Sequence, residues 1–243
     1  MIDLHCHILP NIDDGAKSID EALTLIELAQ QQGVTRMVAT PHIHLGIFDN
    51  DLAKITAAYQ LLQANLPADN KVDIRAAAEV RICPEIMMLA EQGKLPFIGQ
   101  YDNKNVLLLE LPSSHILPGT DKLINWLKQQ DIICMIAHPE RNRELQAHPD
   151  RINPFVKQGC LFQLTAASLL GDMGEKPLAL SQQWISQQLY SIIASDCHSI
   201  KRRPPKLQQA FDITEQRVNS EYAEKLLYST PKRISDALFE AAI

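Results

Sequence analysis

The run Val106-Leu107-Leu108-Leu109-Glu110 sets four apolar residues in a row and closes them with a carboxylate. A short apolar run without alternation fits a strand covered on both faces, the habit of a parallel sheet flanked by helices. The surrounding sequence repeats the pattern. Upstream, Val72 to Ala78 reads as a strand ending on Glu79, and the helix opened by Pro84 at a first-turn position runs to Gly93. Before it, Thr35 to Thr40 ends at Pro41-His42, and a helix from Asp51 to Leu66 closes at Pro67. Downstream, a helix from Thr120 to Gln130 leads to a strand from Ile132 to Ala137, which ends at His138-Pro139. A helix through Phe155 and Val156 to Gly159 follows, then a strand from Leu161 to Thr165 and a helix within Pro177 to Leu189. Ser191 to Ser195 is the last strand and ends at Asp196; beyond Pro204-Pro205 the pattern is helical, with one start at Thr230-Pro231.

The chain opens on Met1-Ile2-Asp3-Leu4-His5-Cys6-His7, where two histidines two apart on a strand project to one face and Cys6 to the other. After a polar loop, Pro10 to Gly15, Ser18 and Glu21 form a capping-box pattern, and Ala22, Leu25, Ile26 and Ala29 follow at helical spacing to Gly33. Seven β-then-α units alternate with no Gly/Ser linker, so residues 1–243 read as one α/β domain with a parallel sheet. Such a sheet is either open and doubly wound or closed as a barrel. Polar residues stand at nearly every strand end, whereas an open sheet concentrates its site at one switch point; a distorted seven-unit (β/α) barrel is expected.

Composition narrows the class. Hydrophobic residues at 46% and charged residues at 21% exclude a disordered chain. A net charge of −6 offers no general attraction to nucleic acid or an anionic membrane. No apolar run approaches the ~20 residues that span a bilayer, and no basic-then-apolar leader is present, so membrane insertion is not expected and a cytoplasmic location is. The five cysteines, Cys6, Cys83, Cys134, Cys160 and Cys197, are odd in number and contain no CxxC pair, against a disulfide framework. Cys83, Cys134 and Cys160 lie in or beside apolar runs and read as core.

Strand-end polar residues rise to a common rim in a parallel barrel. In chain order they are His5 and His7, Asp14 in the following loop, His42, Glu79, Glu110, His138, and Asp196 with His198. Burying so many carboxylates without partners is costly, and bound cations remove that cost. Imidazoles and carboxylates without thiolates suit Mn, Fe(II), Zn or Co. Nine ligands serve three divalent ions only if some are shared or water completes the shells. Two arginines, Arg141 and Arg203, stand near these residues in sequence, and guanidinium donors match phosphate oxygens. Lys201 and Arg202 read as solvated charges.

The segments Met1 to His7, Asp13-Asp14-Gly15, Ala39-Thr40-Pro41-His42, His138-Pro139-Glu140-Arg141-Asn142-Arg143 and Ala194-Ser195-Asp196-Cys197-His198 resemble the polymerase and histidinol phosphatase (PHP) superfamily. Within it they resemble the CpsB/YwqE-type bacterial protein-tyrosine phosphatases of capsule and exopolysaccharide systems. The resemblance runs in order through nearly the whole chain. It implies a distorted (β/α)7 barrel with a trinuclear site, most often holding Mn. By the same resemblance His5, His7, Glu79 and Asp196 hold the first metal, with Glu79 bridging to a second that Glu110 and His138 complete. Asp14, His42 and His198 hold the third, and Arg141 and Arg203 bind phosphate. The implied substrate is a phosphotyrosine-containing protein, the tail of an autophosphorylating kinase.

The chemistry so implied is in-line attack on phosphorus by metal-activated hydroxide. A rival lies in the same residues, because Cys197 and Arg203 fit the C-x5-R spacing of thiolate phosphatases. His198-Ser199-Ile200-Lys201-Arg202 contains no glycine to wrap backbone amides round a phosphate, which weakens that reading. The same metal site would also serve a small phosphomonoester such as histidinol phosphate as substrate, or a non-catalytic module that binds a kinase. His44 and His115 have no assigned role, and His148 reads as surface.

Overall fold

A computed structural model describes residues 1–240. The chain folds as an α/β structure whose strand pairing is almost wholly parallel. Its strands are β1 (Ile2–Cys6), β2 (Arg36–Ala39), β3 (His42–Ile43), β4 (Asp73–Ala76), β5 (Glu79–Arg81), β6 (Gln100–Tyr101), β7 (Lys104–Glu110), β8 (Ile132–Ala137), β9 (Leu161–Thr165) and β10 (Ile192–Ala194). One sheet runs β1-β2-β4 and the other β10-β9-β8-β7-β5-β3. Backbone bonds join their ends: Asp196 N donates to His5 O at 2.7 Å and His7 N to Cys197 O at 2.9 Å.

Two expected strands are longer than the sequence suggested. Arg36 pairs with Asp73 and Ala39 with Ala76, and the same offset continues from His42 to Glu79. Thus β2 with β3, and β4 with β5, are single strands interrupted where Pro41 lacks an N–H, and Glu79 begins a second stretch instead of ending the first. The hairpin β6–β7 was not expected. Asp102 and Asn103 form its turn with φ of 52° and 61°, a conformation these two residue types tolerate.

The helices between strands are α1 (Ile19–Gln31), α2 (Leu52–Ala64), α3 (Glu85–Glu91), α4 (Thr120–Gln129), α5 (Arg143–Ala147), α6 (Asn153–Gln158), α7 (Ala166–Leu169) and α8 (Glu175–Ser186); α9 (Leu207–Arg217), α10 (Ser220–Glu224) and α11 (Thr230–Glu240) follow β10. α1 buries Ala22, Leu25, Ile26 and Ala29, the stripe its periodicity gave. Ser18 caps it through the Glu21 amide, but the Glu21 carboxylate accepts from Lys17 N, one residue short of a full capping box. A π-helical turn, Lys225–Ser229, runs straight into α11, so Thr230-Pro231 is no fresh start. No described helix is long and apolar enough to cross a membrane.

Two apolar clusters fill the fold. The larger lies between strands and helices and takes in Cys6, Cys134, Cys160 and Cys197; Cys83 only packs against it half-buried, a correction to its placement in the core. The smaller gathers Ile2, Leu4, Val38, Ala77, Val106, Leu108, Met135, Ala137, Ile192 and Ala194, which the strands turn inward, with Ile98 and with Ile234 of α11 packed among them. Alternation then carries Glu79, Glu110 and Asp196 onto that same face, two residues beyond Ala77, Leu108 and Ala194. β1 reaches it differently. Asp3 pairs with Met37 but Cys6 with Ala39, so one extra residue bulges the strand and lets His5 follow Leu4 onto the inner side.

Candidate metal centre

All nine strand-end residues meet above the smaller cluster. They fall into four overlapping groups whose ligand atoms lie within 4.8 Å of one another: His5, His7 and Asp196; His5, Glu79 and His138; His42, Glu79 and Glu110; and His7, Asp14, His42 and His198. Glu79 is the hub. Its Oε1 meets His138 Nε2 at 2.7 Å, and its Oε2 lies 3.2 Å from His5 Nε2, 3.4 Å from His7 Nε2 and 3.0 Å from His42 Nδ1. Asp196 Oδ1 is 3.4 Å from His5 Nε2 and 3.5 Å from His7 Nε2. Asp14, the exposed member, faces His42 and His198, each through Nε2 at 3.4 Å.

The ionisable groups crowded here shift one another strongly. Burial opposes charge on His5 and His42, yet Glu79 with Asp196 pushes His5 up to about 9, and Glu79 with Asp14 pushes His42 up to about 11. Burial and Arg141 take His138 down to about 4, and burial with His7 takes His198 there as well. Burial beside Glu79 pushes Glu110 up to about 7, whereas Glu79 and Asp196 overcome their own burial through surrounding positive groups and stay well below the carboxylate range. His42 Nδ1, Glu79 Oε2 and Asp196 Oδ1 are buried without a hydrogen-bond partner, while Glu110 Oε2 lies 3.1 Å from Arg81 Nε. Unpaired buried acceptors facing imidazole nitrogens are what divalent cations satisfy, and this donor set fits them.

Arg141 Nη1 and Arg203 Nη2 both donate to Asp196 Oδ2 at 2.5 Å. Arg141 lies on the turn Pro139–Arg141 after β8, and Arg203 closes a short hairpin after β10 in which His198 N donates to its carbonyl at 2.9 Å. Cys197, the nucleophile of the rival reading, is fully buried in the larger apolar cluster on the other side of the strand. His44 and His115 belong to none of the four groups, and His148 is exposed.

A family model for capsular polysaccharide synthesis, CpsB/CapC, matches residues 1–236. The chain belongs to the CpsB/CapC family. It is 36% identical over 228 residues to the putative tyrosine-protein phosphatase CapC of Staphylococcus aureus, covering 93% of this chain and 88% of that protein. It is 33% identical over 222 residues to the tyrosine-protein phosphatase YwqE of Bacillus subtilis, covering 91% and 86%. A solved structure from work on YwqE of Bacillus subtilis and CpsB of Streptococcus pneumoniae, described as metal-dependent tyrosine phosphatases, superposes with a TM-score of 0.89 at 30% identity, covering 98% of this chain and 95% of that one. A D-hydantoinase shares the fold alone, with a TM-score of 0.57 at 12% identity over 95% of this chain and 69% of its own.

In this CpsB/CapC chain, reading strand ends alone missed the residues that orient the nine. His7 Nδ1 donates to Asp13 Oδ2 at 2.7 Å, His5 Nδ1 to Gln163 Oε1 at 3.0 Å, and His198 Nδ1 to Asp196 O at 2.9 Å. Each bond leaves Nε2 free to face the centre. The Gln163 amide is fixed because its Oε1 also accepts from His138 N at 3.0 Å. Asp3 accepts from Ser195 Oγ at 2.5 Å and Ser195 N at 3.0 Å, tying β1 to the end of β10. Glu140, pushed up to about 7 by burial, accepts from Thr165 N at 3.2 Å. Gln163 and Asp3 carried a signal, a polar residue inside an otherwise apolar strand.

Proposed function

We propose that this chain is a metal-dependent protein-tyrosine phosphatase, acting on the phosphorylated tail of a tyrosine kinase that controls capsular or exopolysaccharide synthesis. The observation that carries the reading is the meeting of nine imidazoles and carboxylates in four overlapping groups, in a CpsB/CapC chain with two arginines on Asp196. In this reading His5, His7, Glu79 and Asp196 hold one divalent ion, Glu79, Glu110 and His138 a second, and Asp14, His42 and His198 a third, with Mn the expected metal. His5 and Glu79 also approach His138, and His42 approaches Glu110, so the side chains stand close enough to exchange partners. The fold is read as one domain over residues 1–243, a distorted (β/α)7 barrel, supported by the bonds joining β1 to the end of β10, and the protein as cytoplasmic.

Bound divalent ions lower the pKa of water and supply hydroxide near neutral pH. Arg141 and Arg203 orient the phosphoryl oxygens through guanidinium donors not used on Asp196. A phenolate leaves readily, since its conjugate acid has a pKa near ~10, so no strong general acid is required.

The test measures metal content alongside hydrolysis of phosphotyrosyl peptide and histidinol phosphate. Activity restored to the metal-stripped protein by Mn, with peptide preferred, is expected. Preference for histidinol phosphate defeats the substrate assignment, and saturating metal without turnover of either defeats the phosphatase. Cys197→Ser should keep most of the activity while EDTA abolishes it; the reverse pattern would restore the thiolate mechanism.

A further inference from the structure

Beside the metal centre a cleft of about 540 Å³ opens toward solvent. One wall is the loop after β1 and the first turn of α1, with Asp14, Lys17 and Glu21; the other is the hairpin after β10, with Lys201, Arg202 and Arg203. That hairpin is pinned at its base, where Ser199 N and His198 N both donate to Arg203 O and Arg203 N donates to Ser199 Oγ. Its base therefore belongs to the metal centre, through His198 and Arg203, and its tip carries Lys201 and Arg202 out along the cleft.

The charges along this cleft run against those of the chain. The protein carries −6 overall, yet the walls present four cations against two carboxylates. Arg203 is taken up by Asp196 and Asp14 by two histidines. What remains is Lys17, Lys201 and Arg202, all exposed and none in an ion pair among the described residues, facing Glu21, whose carboxylate already accepts from Lys17 N. Sequence alone read Lys201 and Arg202 as solvated charges; exposed they are, but they line the cleft that Asp14 and His198 also line.

We infer that Lys17, Lys201 and Arg202 form a specificity subsite that selects phosphotyrosine flanked by a further anionic group in the substrate peptide. The inference rests on the phosphatase reading and names its substrate class more narrowly. A peptide whose phosphate lies at the metal centre and whose backbone follows the cleft carries its neighbouring side chains past these three cations. An Asp or Glu carboxylate or a second phosphate there is attracted and a neutral side chain is not, and the low-dielectric walls focus the field along the cleft. The contribution falls mainly on binding, because the three groups lie off the reacting atoms.

The test uses the Mn-loaded full chain and four substrates: para-nitrophenyl phosphate, and phosphotyrosyl peptides with neutral flanks, with Glu flanks, and with a second phosphotyrosine. The wild type should favour the anionic peptides by about tenfold in kcat/KM at low salt, through KM, as a sum of exposed pairs allows. At about 0.5 M salt the preference should shrink. The triple variant Lys17→Ala, Lys201→Ala, Arg202→Ala should lose it while keeping para-nitrophenyl phosphate and the neutral peptide within about twofold. Lys201→Glu with Arg202→Glu should invert it. Comparing the two anionic peptides tells carboxylate from phosphate recognition. Equal wild-type rates on neutral and anionic peptides, or a triple variant that loses para-nitrophenyl phosphate equally, overturns the subsite alone. Absence of turnover on all four substrates overturns the phosphatase reading, and this inference with it.

Discussion

Asp13→Ala removes no proposed metal ligand, yet it should weaken metal binding about 10- to 100-fold. Asp13 Oδ2 accepts from His7 Nδ1 at 2.7 Å and from His42 N at 3.0 Å, and its Oδ1 accepts from Gly15 N at 2.9 Å. Burial works against its charge, but His7 and these donors hold it below the ordinary carboxylate range, so it is ionised when the imidazole bonds to it. Truncation leaves a buried N–H on His7 without an acceptor, a cost of about 1–3 kcal/mol in the folded protein. It also releases the tautomer, and the form protonated at Nε2 presents an N–H to the centre instead of a lone pair. The expected affinity loss corresponds to roughly 1.4–2.7 kcal/mol. Calorimetric titration of the metal-stripped protein with Mn, alongside its thermal unfolding, reads both effects. Asp13→Asn, whose amide oxygen still accepts from His7, should fall between the wild type and the alanine variant. Wild-type metal affinity in Asp13→Ala, within about twofold, refutes the orienting role.

Glu79→Ala should cost as much bound metal as His5→Ala or His7→Ala, because the Glu79 carboxylate faces His5, His7, His42 and His138; elemental analysis after equilibrium dialysis decides it, and a variant retaining full metal content refutes the hub. Gly15→Ala should lower the melting temperature by about 2–10 °C, since the new Cβ runs into His7 O and meets His7 Cβ at 2.5 Å, an overpacking of about 1–3 kcal/mol. An unchanged melting temperature would show that the Asp13-Asp14 loop gives way freely. Ellman's reagent at neutral pH should label Cys83 slowly and the other four thiols only in denaturant: those four are buried, and burial pushes Cys160 up to about 12 and Cys134 well up. Rapid labelling of Cys197 in the native protein would contradict its burial.

The parallel strands were legible because each is an apolar run with a polar terminus, and a helix with a readable stripe or cap follows. Val106 to Leu109 and α1 show this: apolar residues at Leu107 and Leu109 face the helices while Val106 and Leu108 face the smaller cluster. The β3 and β5 extensions were hidden because Pro41 and Glu79 read as endings, although the pairing offset passes through both. β6 is two residues of mixed polarity and offers almost no pattern; only the Asp102-Asn103 turn marked it. The grouping of ligands was beyond sequence reasoning altogether. Which imidazole stands beside which carboxylate depends on distances across the strands, and neither spacing nor residue type contains them.

Beyond the bulge that brings His5 inward, one more proposed ligand, His138, shows where the period of two stops governing the inner face. Glu79, Glu110 and Asp196 follow inner-face residues by two, as alternation requires, but His138 follows inner-facing Ala137 by one. Its φ of 30° turns the chain so that the next side chain points inward again, and Asp196, at φ 51°, turns the same way as β10 ends. Such left-handed conformations are uncommon for residues other than glycine and persist where surrounding contacts hold them. Both residues are so held: His138 N donates to Gln163 Oε1 at 3.0 Å, and Asp196 N donates to His5 O at 2.7 Å while its carboxylate takes two guanidiniums. Gln163 therefore fixes both the His5 ring and the strained His138 backbone with one oxygen. Gln163→Leu, similar in size and able to do neither, should disturb the centre on both sides at once.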